Sequence, residues 1–296
     1  QLTAIHHTTC LGDNALIFAC QSGHVQTVKL LLNVLGDAIT QPATGQETLN
    51  LPKAFMRACE NGHEQVVSLL LQNLPQPDQL TAIRHTTRLG NNALILACQN
   101  GHTQIIQLLL NVLRNTDTQA IEAHVAPSLE KTLILACKQG YDDLVAFILT
   151  ILPSEKQVSL LKRKNQLGNT AFMQACADGH DPLALRLLQL GHLSKSNGEA
   201  IIYRKNIHGM TPLMQASENG NPKIVKMLLI ALQLLLRKSK RESLAANNVD
   251  IPSQLNRADN PRGYTALLLA SEHGHTEVIN LLLSTLKSAN DDIPTS

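Results

Sequence analysis

Apolar residues along the chain fall into paired groups whose members are three or four positions apart. In the segment NALIFACQSGHVQTVKLLLNVL, residues 14–35, two such groups are separated by Gly23. This spacing is typical of amphipathic helices, and glycine is favoured where a helix ends with a positive φ. The pattern therefore predicts a short helix, a tight turn and a longer antiparallel helix. The first group contains Leu16, Ile17, Ala19 and Cys20, and the second contains Val28, Leu31, Leu32 and Leu35.

The same pattern occurs seven times along the chain. The copies are ALIFACQSGH, AFMRACENGH, ALILACQNGH, TLILACKQGY, AFMQACADGH, PLMQASENGN and ALLLASEHGH, with turn glycines Gly23, Gly62, Gly101, Gly140, Gly179, Gly220 and Gly274. Four successive intervals are 39 residues, and the last two are 41 and 54. Repeats of this length indicate a stacked array, because one helix pair buries its apolar face only against a neighbour.

Five copies carry a polar residue at the position where the first helix should start. Its side-chain oxygen is expected to accept a hydrogen bond from a backbone N–H of the first turn. These predicted caps are Asn14, Asn92, Thr170, Thr211 and Thr265.

The units resemble the ankyrin repeat, most clearly in GMTPLMQASENGNPKIVKMLL (209–229) and GYTALLLASEHGHTEVINLLL (263–283). The resemblance implies an all-α solenoid of stacked antiparallel helix pairs, with β-hairpin or loop fingers before each first helix. Two departures stand out. The histidine of the family's T-P-L-H motif is absent from every copy. Copies two and four also have Leu51 and Leu129 where the others have the glycine of the finger turn before the first helix. We therefore expect more apolar packing between repeats and less regular fingers in those two copies.

The repeats are expected over 11–36, 50–75, 89–114, 128–153, 167–191, 208–236 and 262–286, with an insertion at 237–261 and a polar tail at 287–296. The linkers are longer than in the family. Residues 1–36 and 79–114 are identical at 26 of 36 positions, which indicates that a 78-residue block of two repeats was duplicated.

The composition narrows the cellular setting. Apolar residues make up 44% of the chain and aromatic residues 2%, so aliphatic side chains, alanine and cysteine must form the core. Five of the six cysteines occupy one position in successive repeats, which is typical of small buried thiols and favours a reducing, intracellular compartment. The cytoplasm is expected, with the nucleus or a host cytosol as alternatives. No apolar run reaches the roughly 20 residues of a membrane span.

The charge distribution indicates a candidate binding surface. Residues 156–241 contain 14 Lys/Arg and 4 Asp/Glu. Lys162, Arg163 and Lys164 fall on one predicted finger, and Arg204 and Lys205 fall on the next. His7, His85 and His124 occupy the position of Arg163 in other copies. A row of such side chains along the concave rim would attract an acidic peptide or a phosphorylated partner, although an ordinary solvated edge is the alternative.

A second candidate surface is apolar. The position before the A-(C/S) pair is surface-facing in the family, yet here it holds Phe18, Leu96 and Leu135, and Leu269 in the last copy. These residues predict a docking strip for a partner. Contact with the neighbouring long linkers is the alternative interpretation.

The motifs point to binding rather than catalysis. Cys20 and His24 are four residues apart, and three other copies repeat this spacing, but the intervening turn glycine breaks the helical geometry that a metal site needs. No nucleophile set, phosphate loop or zinc cluster is present, so no enzyme activity, cofactor or metal is expected. Few aromatic residues and the helix-terminal position of RKSKR (237–241) argue against nucleic acid as the partner.

These observations predict a non-catalytic scaffold that binds a partner protein through the concave face and fingers. The alternative is the targeting arm of a larger multidomain enzyme, or of a bacterial effector delivered into host cells, with the active domain outside this chain.

Overall fold

The computed structural model describes residues 7–10, 12–35, 51–116, 126–193, 201–241, 255 and 260–291. In these ranges the regular structure is helical, with one 3-10 turn at Ile201–Tyr203 and no β-strand. The α-helices are α1 (Ala15–Gln21), α2 (Val25–Leu35), α3 (Leu51–Glu60), α4 (Glu64–Asn73), α5 (Gln76–Arg84), α6 (Ala93–Gln99), α7 (Thr103–Arg114), α8 (Ala126–Gln139), α9 (Asp142–Ile151), α10 (Ser154–Leu161), α11 (Ala171–Ala177), α12 (Asp181–Leu193), α13 (Pro212–Glu218), α14 (Pro222–Arg241), α15 (Ala266–Glu272) and α16 (Thr276–Asp291).

The chain forms two compact units, residues 1–135 and 136–296, with the boundary inside α8. In the first unit, α1 packs against α3 and α3 against α6, while the second helices α2, α4 and α7 pack in the same order. In the second unit, α11, α13 and α15 form one row and α12, α14 and α16 the other. Each unit therefore consists of antiparallel helix pairs stacked side by side. Of the insertion, residues up to Arg241 continue α14, and most of its remainder lies outside the described residues.

The five predicted N-caps are confirmed. In each, the side-chain oxygen accepts the backbone N–H three residues later, at 2.9–3.3 Å. Such a cap stabilises a helix by about 1 kcal/mol, which matters for helices of seven residues that barely hold together alone.

The turn that joins each helix pair is also the main polar contact between repeats. In the first unit, His63 Nε2 lies 2.8 Å from the Gln21 carbonyl oxygen, and His102 Nε2 lies 3.0 Å from that of Glu60. The His63 ring occupies the space where a Cβ on Gly23 would stand, 2.5 Å from its nearest ring atom. Gly23 also has a φ of +73°, so a side chain at this position would both strain the backbone and overlap the His63 ring.

The second unit repeats this contact. His180 Nε2 lies 2.9 Å from the Lys138 carbonyl oxygen, and His275 Nε2 lies 2.9 Å from that of Glu218. Between them, Asn221 replaces the histidine, and its Nδ2 donates to the carbonyls of Cys176 and Ala177. The missing T-P-L-H histidine thus does not leave the repeats joined by apolar packing alone, because in five repeats the residue after the turn glycine supplies a polar bond.

Two linkers contain helices that the sequence pattern did not predict. Helix α5 packs against α3, α6 and α7, and α10 packs against α12. Gln79 Nε2 donates to the carbonyls of Leu71 and Leu74 at 2.8 and 2.9 Å, which ties α5 to the end of α4. Gln157, 78 residues later, makes the equivalent bonds at the end of α9. The extra helix accounts for much of the long repeat period.

Copies two and four depart from the others as expected. Helices α3 and α8 are longer than the other first helices, and α8 is already helical where other copies have a finger turn. Their lysines reach the preceding finger. Lys53 Nζ forms an ion pair with Asp13 at 2.7 Å, and Lys131 Nζ donates to the Leu89 carbonyl at 3.1 Å.

The repeated cysteines are part of the core. Cys20, Cys59, Cys98, Cys137 and Cys176 are buried and free, whereas Cys10 is exposed. Burial raises the pKa of Cys20 and Cys98 to about 12, and raises the pKa of the other three further above the usual value for a thiol. These thiols are therefore neutral and unreactive in the folded chain.

Replacing a turn glycine with alanine should reveal the packing of the following histidine. Gly220 and Gly274 have nearly equal φ values of +69° and +71°, but a Cβ at Gly220 would overlap the His275 ring, while one at Gly274 meets no atom within 4 Å. We expect Gly274→Ala to lower the free energy of unfolding by about 1–2 kcal/mol. Gly220→Ala should cost about 1–3 kcal/mol more. Urea unfolding measures both, and equal losses would show that the ring contact contributes nothing.

The buried thiols should make the fold sensitive to alkaline pH. Each buried thiol has a higher pKa in the folded chain than in the unfolded chain, so its contribution to stability is intact below about pH 9. Between about pH 9 and 12 only the unfolded chain releases the proton, and this contribution is lost as the pH rises. We expect each buried thiol to lower the free energy of unfolding by up to about 1.4 kcal/mol per pH unit in this window. Cys98→Ala should flatten the slope of stability against pH, whereas Cys10→Ala, at an exposed site, should leave it unchanged. An unaltered slope in Cys98→Ala would contradict this account.

Candidate functional site

The candidate site consists of two finger turns in the second unit, residues 163–170 and 204–211. The Asn165 side-chain oxygen accepts the backbone N–H groups of Leu167 and Asn169 at 3.0 and 2.9 Å. Asn206 accepts those of His208 and Met210 in the same way, at 2.9 Å each. Asparagine favours such turns because its short side chain bonds the backbone just ahead of it. These fingers are loops closed by side chains, not the β-hairpins that the resemblance also allowed.

Three hydrogen bonds join the two fingers to each other. The Ile207 backbone N–H donates to the Leu167 carbonyl at 3.1 Å, and Asn206 Nδ2 donates to Asn169 Oδ1 at 3.1 Å. Lys164 Nζ donates to the Lys205 carbonyl at 2.9 Å. The spacing between the fingers is therefore fixed by direct contacts rather than by the helices alone.

A buried amide anchors the finger pair to the helices. Asn169 and Gln215 are both buried, and Gln215 Nε2 donates to Asn169 Oδ1 at 3.1 Å. Asn169 thus accepts bonds from its neighbouring finger and from α13. Because buried polar groups are costly to leave unpaired, this network holds the base of the fingers in one arrangement.

The predicted basic residues lie on this finger pair. Lys162, Arg163 and Lys164 are exposed at the end of α10, and Arg204 and Lys205 are half-buried on the next finger. Arg204 Nε is buried without a hydrogen-bond partner. No Asp or Glu occurs in residues 156–177 or 201–217, so the two fingers carry one sign of charge. Such a surface attracts anionic groups.

The histidines of the predicted row lie elsewhere in the chain. His85 is exposed at the end of α5, and His7 is exposed in the first unit, whereas His124 lies outside the described residues. Their alignment with Arg163 therefore stays a prediction.

The apolar docking strip needs a correction. Phe18 is 48% exposed and Leu135 is partly exposed, but Leu96 is only 6% exposed and Leu269 is buried as well. Leu96 lies on α6, and both α3 and the linker helix α5 pack against α6. The alternative interpretation, contact with a linker, thus accounts for Leu96. The equivalent residue on α1, Phe18, is exposed.

Two sets of exposed apolar residues were not predicted from the sequence. Leu30 and Val34 on α2 are exposed, although their counterparts Leu108 and Val112 in the duplicated block are partly covered. The finger turns also place large apolar side chains in solvent. These fingertip residues are Leu89, Leu167 and Ile207, with 79%, 53% and 63% exposure. The sequence signal for them was an apolar residue one or two positions before the glycine of a finger turn.

The Cys–His spacing serves structure in the described repeats. Each of His63, His102 and His180 directs Nε2 to a backbone carbonyl of the preceding repeat. Among the described residues, no group of three or more His, Cys, Asp or Glu side chains is placed to hold a metal ion. None of the described helices combines the length and apolar character needed to cross a membrane.

Comparisons with known proteins agree with this architecture. The family model described as "Ankyrin repeats (3 copies)" matches residues 2–81, 55–158 and 133–237, and the model "Ankyrin repeat" matches 262–296. The crystal structure of the human ASB11 ankyrin repeat domain superimposes with a TM-score of 0.52 at 20% identity, covering 91% of this chain and 98% of that one, which shows a shared fold. A search of curated proteins found no match. Family models that together span most of the sequence show that the chain belongs to the ankyrin-repeat family.

Proposed function

We propose that this chain is a non-catalytic scaffold whose first-helix face and fingers bind a partner protein, with the basic finger pair taking an acidic or phosphorylated segment. Ankyrin repeats are protein–protein interaction modules, and proteins built from them are typically non-catalytic. The basic finger pair is defined as Lys162, Arg163, Lys164, Arg204 and Lys205.

The observation that supports this proposal is the concentration of positive charge on two fingers that contact each other. Four basic residues lie within the two turns and Lys162 directly precedes the first, and none of residues 156–177 or 201–217 is acidic. The bond from Lys164 Nζ to the Lys205 carbonyl and the bond between the tips hold the charges at fixed separations. A preorganised cluster loses less conformational entropy on binding than independent lysines do.

The chemistry of these side chains favours oxyanions. Lys and Arg donate charge-assisted hydrogen bonds to carboxylate and phosphate, which are about twice as strong as neutral ones. Single exposed ion pairs contribute little, about 0–1 kcal/mol, so several must act together. Binding should therefore weaken steeply with salt, since exposed charges are screened within about 8 Å at physiological ionic strength.

One observation favours the alternative, a targeting arm within a larger multidomain protein. Phe18, Leu30 and Val34 are exposed on the first repeat, whereas in the third repeat Leu96 is buried and the other two equivalent residues are partly covered. A free solenoid usually has a polar outer face on its end repeats. An exposed apolar face of this kind is suited to packing against a further structural unit.

Charge reversal tests the basic finger pair. We expect Lys162→Glu/Lys164→Glu to weaken binding to acidic and phosphorylated peptides on an array by about tenfold at low salt, because four units of charge change at the proposed contact. The matched control is Lys223→Glu/Lys226→Glu, which changes the same charge on exposed residues of α14. Equal loss in both variants would reduce the effect to net charge, and no loss in either would reject the finger site.

A further inference from the structure

The fingertips of the second unit combine exposed apolar side chains with positive charge on the same turns. Leu167 and Ile207 are more than half exposed, although a turn position of this kind accepts a polar residue at no cost to the fold. Scattered exposed apolar residues are common on protein surfaces. These two are not scattered, since they occupy neighbouring fingers of the basic finger pair.

The two tips are in direct contact. The Ile207 backbone N–H donates to the Leu167 carbonyl at 3.1 Å. A Cβ placed on Gly168 would lie 2.7 Å from the Ile207 nitrogen and 3.0 Å from its Cγ2 atom, so Ile207 packs directly over that glycine. The backbones of Leu167 and Ile207 are therefore joined, and these two exposed apolar residues are here called the fingertip pair.

Positive charge adjoins the fingertip pair on the same turns. Lys164 lies three residues before Leu167, and its Nζ is bound to the finger that carries Ile207. Lys162 is exposed at the base of the first finger. A ligand that fits both features must carry large apolar and anionic groups close together.

An extended acidic peptide meets this requirement better than the other anionic macromolecules. Nucleic acid is disfavoured because residues 162–169 and 204–210 contain no Phe, Tyr or Trp, and a single imidazole, His208, is a small platform for base stacking. A membrane surface is disfavoured because two side chains bury far less apolar area than the single acyl chain that gives only marginal lipid binding. A peptide places one side chain on an apolar anchor and its neighbours on the charges around it.

We propose that the fingertip pair anchors a large apolar side chain of an acidic, extended segment of the partner, while Lys162 and Lys164 bind carboxylates on either side of it. This proposal rests on the proposed function and specifies its partner. The segment is acidic with an embedded leucine-like residue, not a uniformly acidic or phosphorylated stretch.

Two dye-labelled peptides, DEDELDEDE and DEDESDEDE, separate the apolar contribution from the charge. We expect fluorescence anisotropy to show about tenfold tighter binding of the leucine peptide, the gain from partly burying one such side chain. In Leu167→Ser/Ile207→Ser this preference should vanish, while salt-sensitive binding of both peptides remains. The substituted side chains are largely exposed, and unchanged thermal unfolding verifies the fold.

The matched control is Leu89→Ser, which removes an exposed fingertip residue of the first unit whose carbonyl accepts from the Lys131 ammonium and not from a neighbouring fingertip. It should keep the full preference for leucine. Equal binding of the two peptides by the unaltered chain overturns the anchor but leaves the charge-based proposed function standing. Absence of binding by either peptide overturns both. Sedimentation with phosphatidylserine vesicles that is abolished by Leu167→Ser/Ile207→Ser would assign the pair to a lipid surface and overturn the peptide anchor.

Discussion

The architecture depends on one contact, in which the residue after a turn glycine reaches back to the previous repeat. A seven-residue helix and its partner cannot bury enough surface to be stable alone. The imidazole of His63 bonds a carbonyl of the preceding turn and fills the space left by the absent Cβ of Gly23. One residue thus bonds a carbonyl at a helix end that lacks an intrahelical partner and packs against the turn of the preceding repeat. Asn221 shows that an amide can do the same.

The sequence was sufficient for the helix pairs, because apolar period, cap and turn glycine agree locally at each repeat. It was insufficient for α5 and α10. Their residues lack a strong apolar period, and they are helical because Gln79 and Gln157 bond the end of the preceding helix while a few apolar residues such as Ile83 pack inward. These are tertiary effects, which intrinsic propensity does not report.

The candidate site shows the same division. Clustering of Lys162, Arg163 and Lys164 is visible in the sequence, since charge counts need no coordinates. The burial of Leu96 is not visible, because the identical position in the duplicated block, Phe18, is exposed. Both side chains are large and apolar, but the linker helix α5 packs against α6 and no such helix is described against α1. Likewise, an apolar residue at a fingertip can be read from the chain, but the bond between Leu167 and Ile207 requires the register of two fingers 40 residues apart.

The fingertip carbonyls of the two units have different hydrogen-bond donors. Leu89 and Leu167 are equivalent residues, 78 positions apart, yet the first carbonyl accepts from the Lys131 ammonium and the second from the Ile207 amide. In the first unit, the repeat after each finger begins with a longer helix, so neighbouring fingers are two repeats apart. A lysine of that helix, Lys53 or Lys131, contacts the finger before it. In the second unit two fingers occur in successive repeats, and the backbone N–H of Ile207 bonds the backbone carbonyl of Leu167. The order of repeat types therefore determines where fingertips can bond to each other, since a direct backbone bond between tips requires two finger-bearing repeats in succession.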